Sequence, residues 1–96
     1  MRILGFTWDE VNTAKLAHHD LTPDDVEALF CGECIVLRHP DKSGRWVVLG
    51  FVPDDRFVLV SFEMTEDTRW VRAVTAFEPT NERWWRAYAK AKDIKP

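Results

Sequence analysis

Lys15 and His19 stand four residues apart, a spacing that presents an ammonium and an imidazole on one helix face. Side by side, such a pair can hold a phosphate and move a proton near neutral pH. On spacing alone it reads more simply as a solvated lysine and a histidine closing a helix C-terminus. Glu63, Arg69 and Arg72 form a second group. Strand alternation sends Arg69 and Arg72 to opposite faces, and a hairpin turn centred on Glu66 sets Glu63 across from Arg69. That pairing is either a plain cross-strand ion pair or an acid/base carboxylate beside a phosphate-binding guanidinium. Arg45 and Arg56 begin strands and read most simply as edge charges.

Cys31 and Cys34 have the two-residue spacing of metal and redox motifs. A structural zinc needs four ligands, and only His18, His19 and His39 remain, at a spacing that matches no finger. A redox pair wants its first cysteine at a helix N-terminus, where the dipole lowers the thiol pKa. Cys31 falls at a predicted helix C-terminus. Two ordinary thiols are expected, with no metal and no cofactor. Trp84 and Trp85 are adjacent on a predicted helix and point in different directions. One suits the core, and the other suits a partly exposed contact surface for a protein partner.

The elements that must position these residues are legible from caps, periodicity and turns. Arg2–Trp8 reads as a short first strand, and Asp9 caps a helix over roughly 10–18, with Val11, Ala14 and Leu16 as its apolar stripe. Thr22, Pro23 and Asp25 give a cap, a favoured first helical residue and the acid of a capping box. They start a second helix that buries Val26, Leu29 and Phe30 and ends at Gly32. Strands follow over Cys34–Arg38, Arg45–Val52, Arg56–Met64 and Thr68–Phe77, each closed by turn-forming residues. Connections this short force antiparallel neighbours. A last helix over roughly 80–92 buries Trp84, Ala87, Tyr88 and Ala91 and leaves Arg83, Arg86, Lys90 and Lys92 on its far side. The expected fold is α+β, one domain over residues 1–96: a short N-terminal strand, two helices, a four-strand antiparallel meander and a C-terminal helix.

Composition narrows the function classes. The chain is 46% hydrophobic and 30% charged, as an ordinary globular domain is, with twelve aromatic residues to fill a core. Its longest apolar run, Trp46–Val52, is far too short to span a bilayer. The N-terminus shows neither an apolar signal segment nor a cleavage site, so the expected setting is the cytoplasm. Net charge is −3, unevenly divided. Residues 1–37 set Arg2 and Lys15 against seven carboxylates, a balance of −5, whereas residues 38–96 carry +2. The sheet and last helix are therefore the side for an anionic ligand, and the whole is unlike a generic basic nucleic-acid binder.

The N-terminal pattern reads Phe6-x-Trp8-Asp9-Glu10-x-Asn12-x-x-Lys15-x-x-x-His19-x-Leu21-Thr22-Pro23-x-Asp25-Val26-x-x-x-Phe30. It resembles the start of the BrnT family, small toxins of bacterial type II toxin–antitoxin pairs. The similarity continues through Arg45-Trp46-Val47-Val48-Leu49-Gly50 and Val58-Leu59-Val60-Ser61-Phe62 to Arg72-Ala73-Val74-Thr75-Ala76. The resemblance implies the compact α+β fold of RelE-type ribonucleases and metal-independent cleavage of RNA. It also implies a cognate antitoxin that neutralises the toxin, with a homodimer or a toxin–antitoxin heterotetramer as the assembly. Carried onto this sequence, the functional positions are Lys15, His19, Glu63, Arg69 and Arg72 for catalysis and Trp8 and Arg45 for substrate. His19 or Glu63 would take and return the proton, and Lys15, Arg69 and Arg72 would stabilise the phosphorane charge. Two positions depart from the pattern: Thr75-Ala76-Phe77 stands where the family usually ends Ser-Ala-Arg, and Asp20 stands where a Gly usually follows the His. The alternative is a non-catalytic domain of the same fold that binds a protein through its last helix and the tryptophan pair.

Overall fold

A computed structural model describes residues 5–41, 44–64 and 70–92. Its elements run β1 (Gly5–Thr7), α1 (Glu10–Ala17), α2 (Pro23–Cys31), β2 (Ile35–Arg38), β3 (Arg45–Phe51), β4 (Phe57–Met64), β5 (Trp70–Phe77) and α3 (Glu82–Ala91). The fold is α+β, and β2 to β5 form the antiparallel meander that short connections require. The sheet as a whole is mixed, however. Its order is β1-β5-β4-β3-β2, and β1 pairs parallel to β5, with Thr7 opposite Arg72. A meander leaves β5 at one border of the sheet, and the first strand takes it.

Local chemistry explains the helix starts. Asp9 and Asn12 form a reciprocal capping box: the Asn12 N–H donates to the Asp9 carboxylate, and the Asp9 N–H donates to the Asn12 amide oxygen. The Asn12 amide also donates to the Thr7 carbonyl at 2.9 Å, which ties α1 to the end of β1. That bonding corrects the expected apolar stripe of α1. Asn12 and Leu16 are buried, and Val11 is 59% exposed, because the buried amide serves the cap and β1. In α2, Thr22 and Asp25 form the predicted box, Pro23 opens the helix and Gly32 closes it.

Alternation along the strands splits the core between two faces. On one, Leu16, Leu21, Val26 and Leu29 of the α1–α2 segment pack on Val48, Val60, Phe62, Val71 and Ala73. On the other, Tyr88 of α3 packs on Val47, Leu49 and Leu59. The Tyr88 hydroxyl donates to the Glu33 carbonyl at 2.9 Å and anchors α3 to the α2–β2 connection. Gly50 lets α2 approach β3 closely, since a Cβ there would lie 3.2 Å from Cys34 Cβ and 3.3 Å from Leu29 Cγ. Between β4 and β5 the register slips at Ser61/Phe62: Phe62 faces Ala73 and Ser61 faces Thr75, which leaves Val74 as the extra residue of a bulge. Among the described residues no helix is long and apolar enough to cross a membrane.

Candidate active site

Register alone assembles the centre of the site. Arg45 on β3 lies opposite Glu63 on β4, and Glu63 lies opposite Arg72 on β5. Directly opposed residues point to one face. Here it is the α3 face, because Val47 and Leu49 follow Arg45 on the same side of β3 and pack with Tyr88. Three charged side chains therefore stand in a row across three strands.

The first helix supplies the fourth. Asp9 meets Arg72, and the His19 ring lies 6.3 Å from that of Phe77. Ten helical residues and five strand residues both span roughly 15 Å, so α1 runs alongside β5 in the same direction. Lys15 and Asn12 thereby reach the row, and with Arg45, Glu63, Arg72 and Val74 they line a cleft of about 130 Å³. The bulge places Val74 in that wall.

Arg45 Nη2 pairs with Glu63 Oε1 at 2.9 Å, and Arg72 Nη2 pairs with Asp9 Oδ2 at 3.1 Å. Lys15 has no ion pair or hydrogen bond among the described residues. The Asn12 N–H, and after it the Arg72 guanidinium, hold the Asp9 carboxyl below its ordinary range. Three cations thus surround one carboxylate of the row, a set able to hold a phosphate and accept a proton beside it.

Four of the residues singled out from the sequence, Lys15, Arg45, Glu63 and Arg72, meet in this cleft. Their grouping differs from the expected one. Glu63 faces Arg72 instead of Arg69, since the pairing of β4 with β5 centres further along than Glu66. Arg69 itself lies outside the described residues. His19 is not on the helix face of Lys15: α1 ends at Ala17, and His19 lies in a turn that closes with Asp20 at φ +57°. The His19 ring is beside Phe77, and its carbonyl accepts from Arg56. Trp8 is also away from the cleft, its indole N–H donating to Glu27 at 2.8 Å and its ring stacked with Phe6.

Arg56 is more than an edge charge. It chelates Asp54 and donates to the His19 and Asp20 carbonyls, which joins the α1–α2 turn to the β3–β4 turn. Trp84 is half-buried with Arg83 over its ring at 4.6 Å, and Trp85 is 40% exposed within a cluster of Phe51, Phe57 and Tyr88. Cys31 is exposed at the last position of α2, and burial pushes the Cys34 thiol up. No three His, Cys, Asp or Glu side chains converge as metal ligands among the described residues.

The sequence marks Asp9 as a helix cap and gives Asn12 no role of its own. That Asn12 lines the cleft and Asp9 holds its Arg72 depends on the parallel β1–β5 register, for which the chain carries no local signal. Compared with known proteins, the chain matches no family model and no curated protein sequence.

Proposed function

We propose that the protein is a metal-independent endoribonuclease of the BrnT kind, the toxin of a toxin–antitoxin pair, which cleaves RNA in the Lys15–Arg45–Glu63–Arg72 cleft. The observation that carries this reading is the cleft itself: an ammonium unpaired among the described residues and two guanidiniums around a carboxylate that touches one of them. Glu63 takes the proton of a 2′-hydroxyl as the 2′-oxygen bonds to phosphorus. The phosphorus–O5′ bond breaks, and Lys15 protonates the leaving oxygen. The products are a 2′,3′-cyclic phosphate and a 5′-hydroxyl. Arg45 and Arg72 stabilise the charge that grows on the phosphorane oxygens. His19, beside Phe77, has no part in this scheme.

Purified protein incubated with RNA in the presence of a chelator tests the reading. Cleavage that leaves cyclic-phosphate ends, and that falls away in Lys15→Ala and Arg72→Ala, is the expected result. RNA that stays intact under wild-type protein, in the tube and in cells induced to express it, removes the enzyme.

A second reading rests on a different observation. Phe51 and Trp85 are 41% and 40% exposed, side by side on the α3 face. An aromatic pair of that exposure suits a protein contact. In the toxin reading an antitoxin covers it; in the alternative, protein binding there is the whole function. A domain that binds its partner through Trp85 and leaves RNA untouched fits only the alternative.

A further inference from the structure

We infer that Asp9 sets how tightly the cleft holds a phosphate, by competing with that phosphate for Arg72. The inference rests on the proposal that the cleft takes a phosphate. The two carboxylate oxygens of Asp9 have separate tasks. Oδ1 accepts the Asn12 N–H at 2.8 Å and caps α1, while Oδ2 accepts from Arg72 at 3.1 Å. Arg72 stands opposite Glu63 in the sheet, yet Glu63 pairs with Arg45 and leaves Arg72 to Asp9. Each guanidinium of the cleft is thus already answered by a carboxylate of the chain itself.

An incoming phosphate therefore meets one open cation, Lys15, and two that must exchange a partner. Both pairs are partly open to water, and exposed ion pairs exchange readily. Of the two carboxylates, Glu63 has a task in the proposed reaction. Asp9 has none that needs its charge, because a neutral amide caps a helix as well as a carboxylate does. Asp9 acts through Arg72 and is a positioning residue, not a group that touches substrate.

That separation makes the test clean. Asp9→Asn keeps the cap and removes the charge, and Asp9→Ser does the same with a different side chain. Inorganic phosphate is titrated at low ionic strength into wild type, Asp9→Asn, Arg72→Ala and the double variant, with amide chemical shifts as readout and thermal midpoints measured in parallel. Loss of one negative charge a few ångströms from the anion should tighten phosphate binding about 3- to 10-fold in Asp9→Asn. The gain should vanish when Arg72 is absent. A merely structural Asp9 gives unchanged or weaker binding. Equal or weaker phosphate affinity in folded Asp9→Asn overturns the inference, as does a gain that survives without Arg72, or no binding by any of the proteins. RNA cleavage is scored separately. Tighter phosphate binding by Asp9→Asn with no cleavage of RNA sinks the nuclease and spares the competition; cleavage that needs Lys15, with phosphate affinity indifferent to Asp9, does the reverse.

Discussion

Arg72 is where the cap of a helix, the register of a hairpin and the chemistry of the cleft meet. Its backbone is fixed between Thr7 of β1 and Glu63 of β4, and its guanidinium reaches Asp9 across the mouth of α1. Removing the guanidinium takes away charge stabilisation that the reaction needs as the phosphorane forms, and removing the Lys15 ammonium takes away the proton for the leaving oxygen. Lys15→Ala and Arg72→Ala should each slow RNA cleavage about 10²-fold or more, measured as single-turnover rates on one labelled RNA. Glu63→Gln, which keeps the shape and loses the base, should fall as far. Asp9 carries a pH signature as well. Its folded carboxyl titrates below the ordinary value of 3.8, so it contributes stability above that value and loses it as pH falls through the folded pKa. Wild type should lose stability to acid from about pH 5 downward, and Asp9→Asn should flatten that part of the profile in urea melts. Asp54, held low by Arg56, keeps part of the slope in the variant.

The elements were largely legible in the sequence because their signals are local. The Thr22-Pro23-Asp25 start, the Gly32 stop and the strand cores of β3 and β4 follow from capping chemistry and alternation. What escaped were the facts that only pairing decides. A turn centred on Glu66 matches Glu63 to Arg69, whereas the observed register and the bulge at Val74 bring it to Arg72. Helical spacing carried to the end of the first helix sets His19 beside Lys15, but α1 stops at Ala17. The parallel docking of β1, which sets Asn12 in the cleft wall and Asp9 against Arg72, leaves no mark in either neighbouring sequence. Two contacts make the packing of these elements testable. Gly50→Ala pushes a methyl against Cys34 and Leu29 and should cost about 1–3 kcal/mol by chemical denaturation. Tyr88→Phe strands the Glu33 carbonyl and should cost about 1 kcal/mol, with α3 exchanging its amides faster.

For the molecule as a whole, the sheet separates two electrostatic characters. The α1–α2 layer carries Glu10, Asp20, Asp24, Asp25 and Glu27, whereas the other face holds the Arg45–Glu63–Arg72 row and the exposed Arg83, Arg86 and Lys90 of α3. In a chain with net charge −3, the described residues thus offer an anion the Arg45–Glu63–Arg72 face, to which Lys15 reaches from α1. With three cations at the cleft, single-stranded RNA affinity should fall with log salt at a slope near −2, and Arg72→Ala should make that slope shallower by about 0.7. The most direct test of the cleft is a chemical-shift titration with a short RNA whose scissile 2′-hydroxyl is methylated, so that it binds without reacting. The predicted shifts centre on Lys15, Arg45, Glu63, Arg72 and the amides of Asn12 and Val74, and are lost in Lys15→Ala. Shifts confined to α3 and the Phe51–Trp85 patch, with the cleft amides unmoved at saturating RNA, would contradict the account.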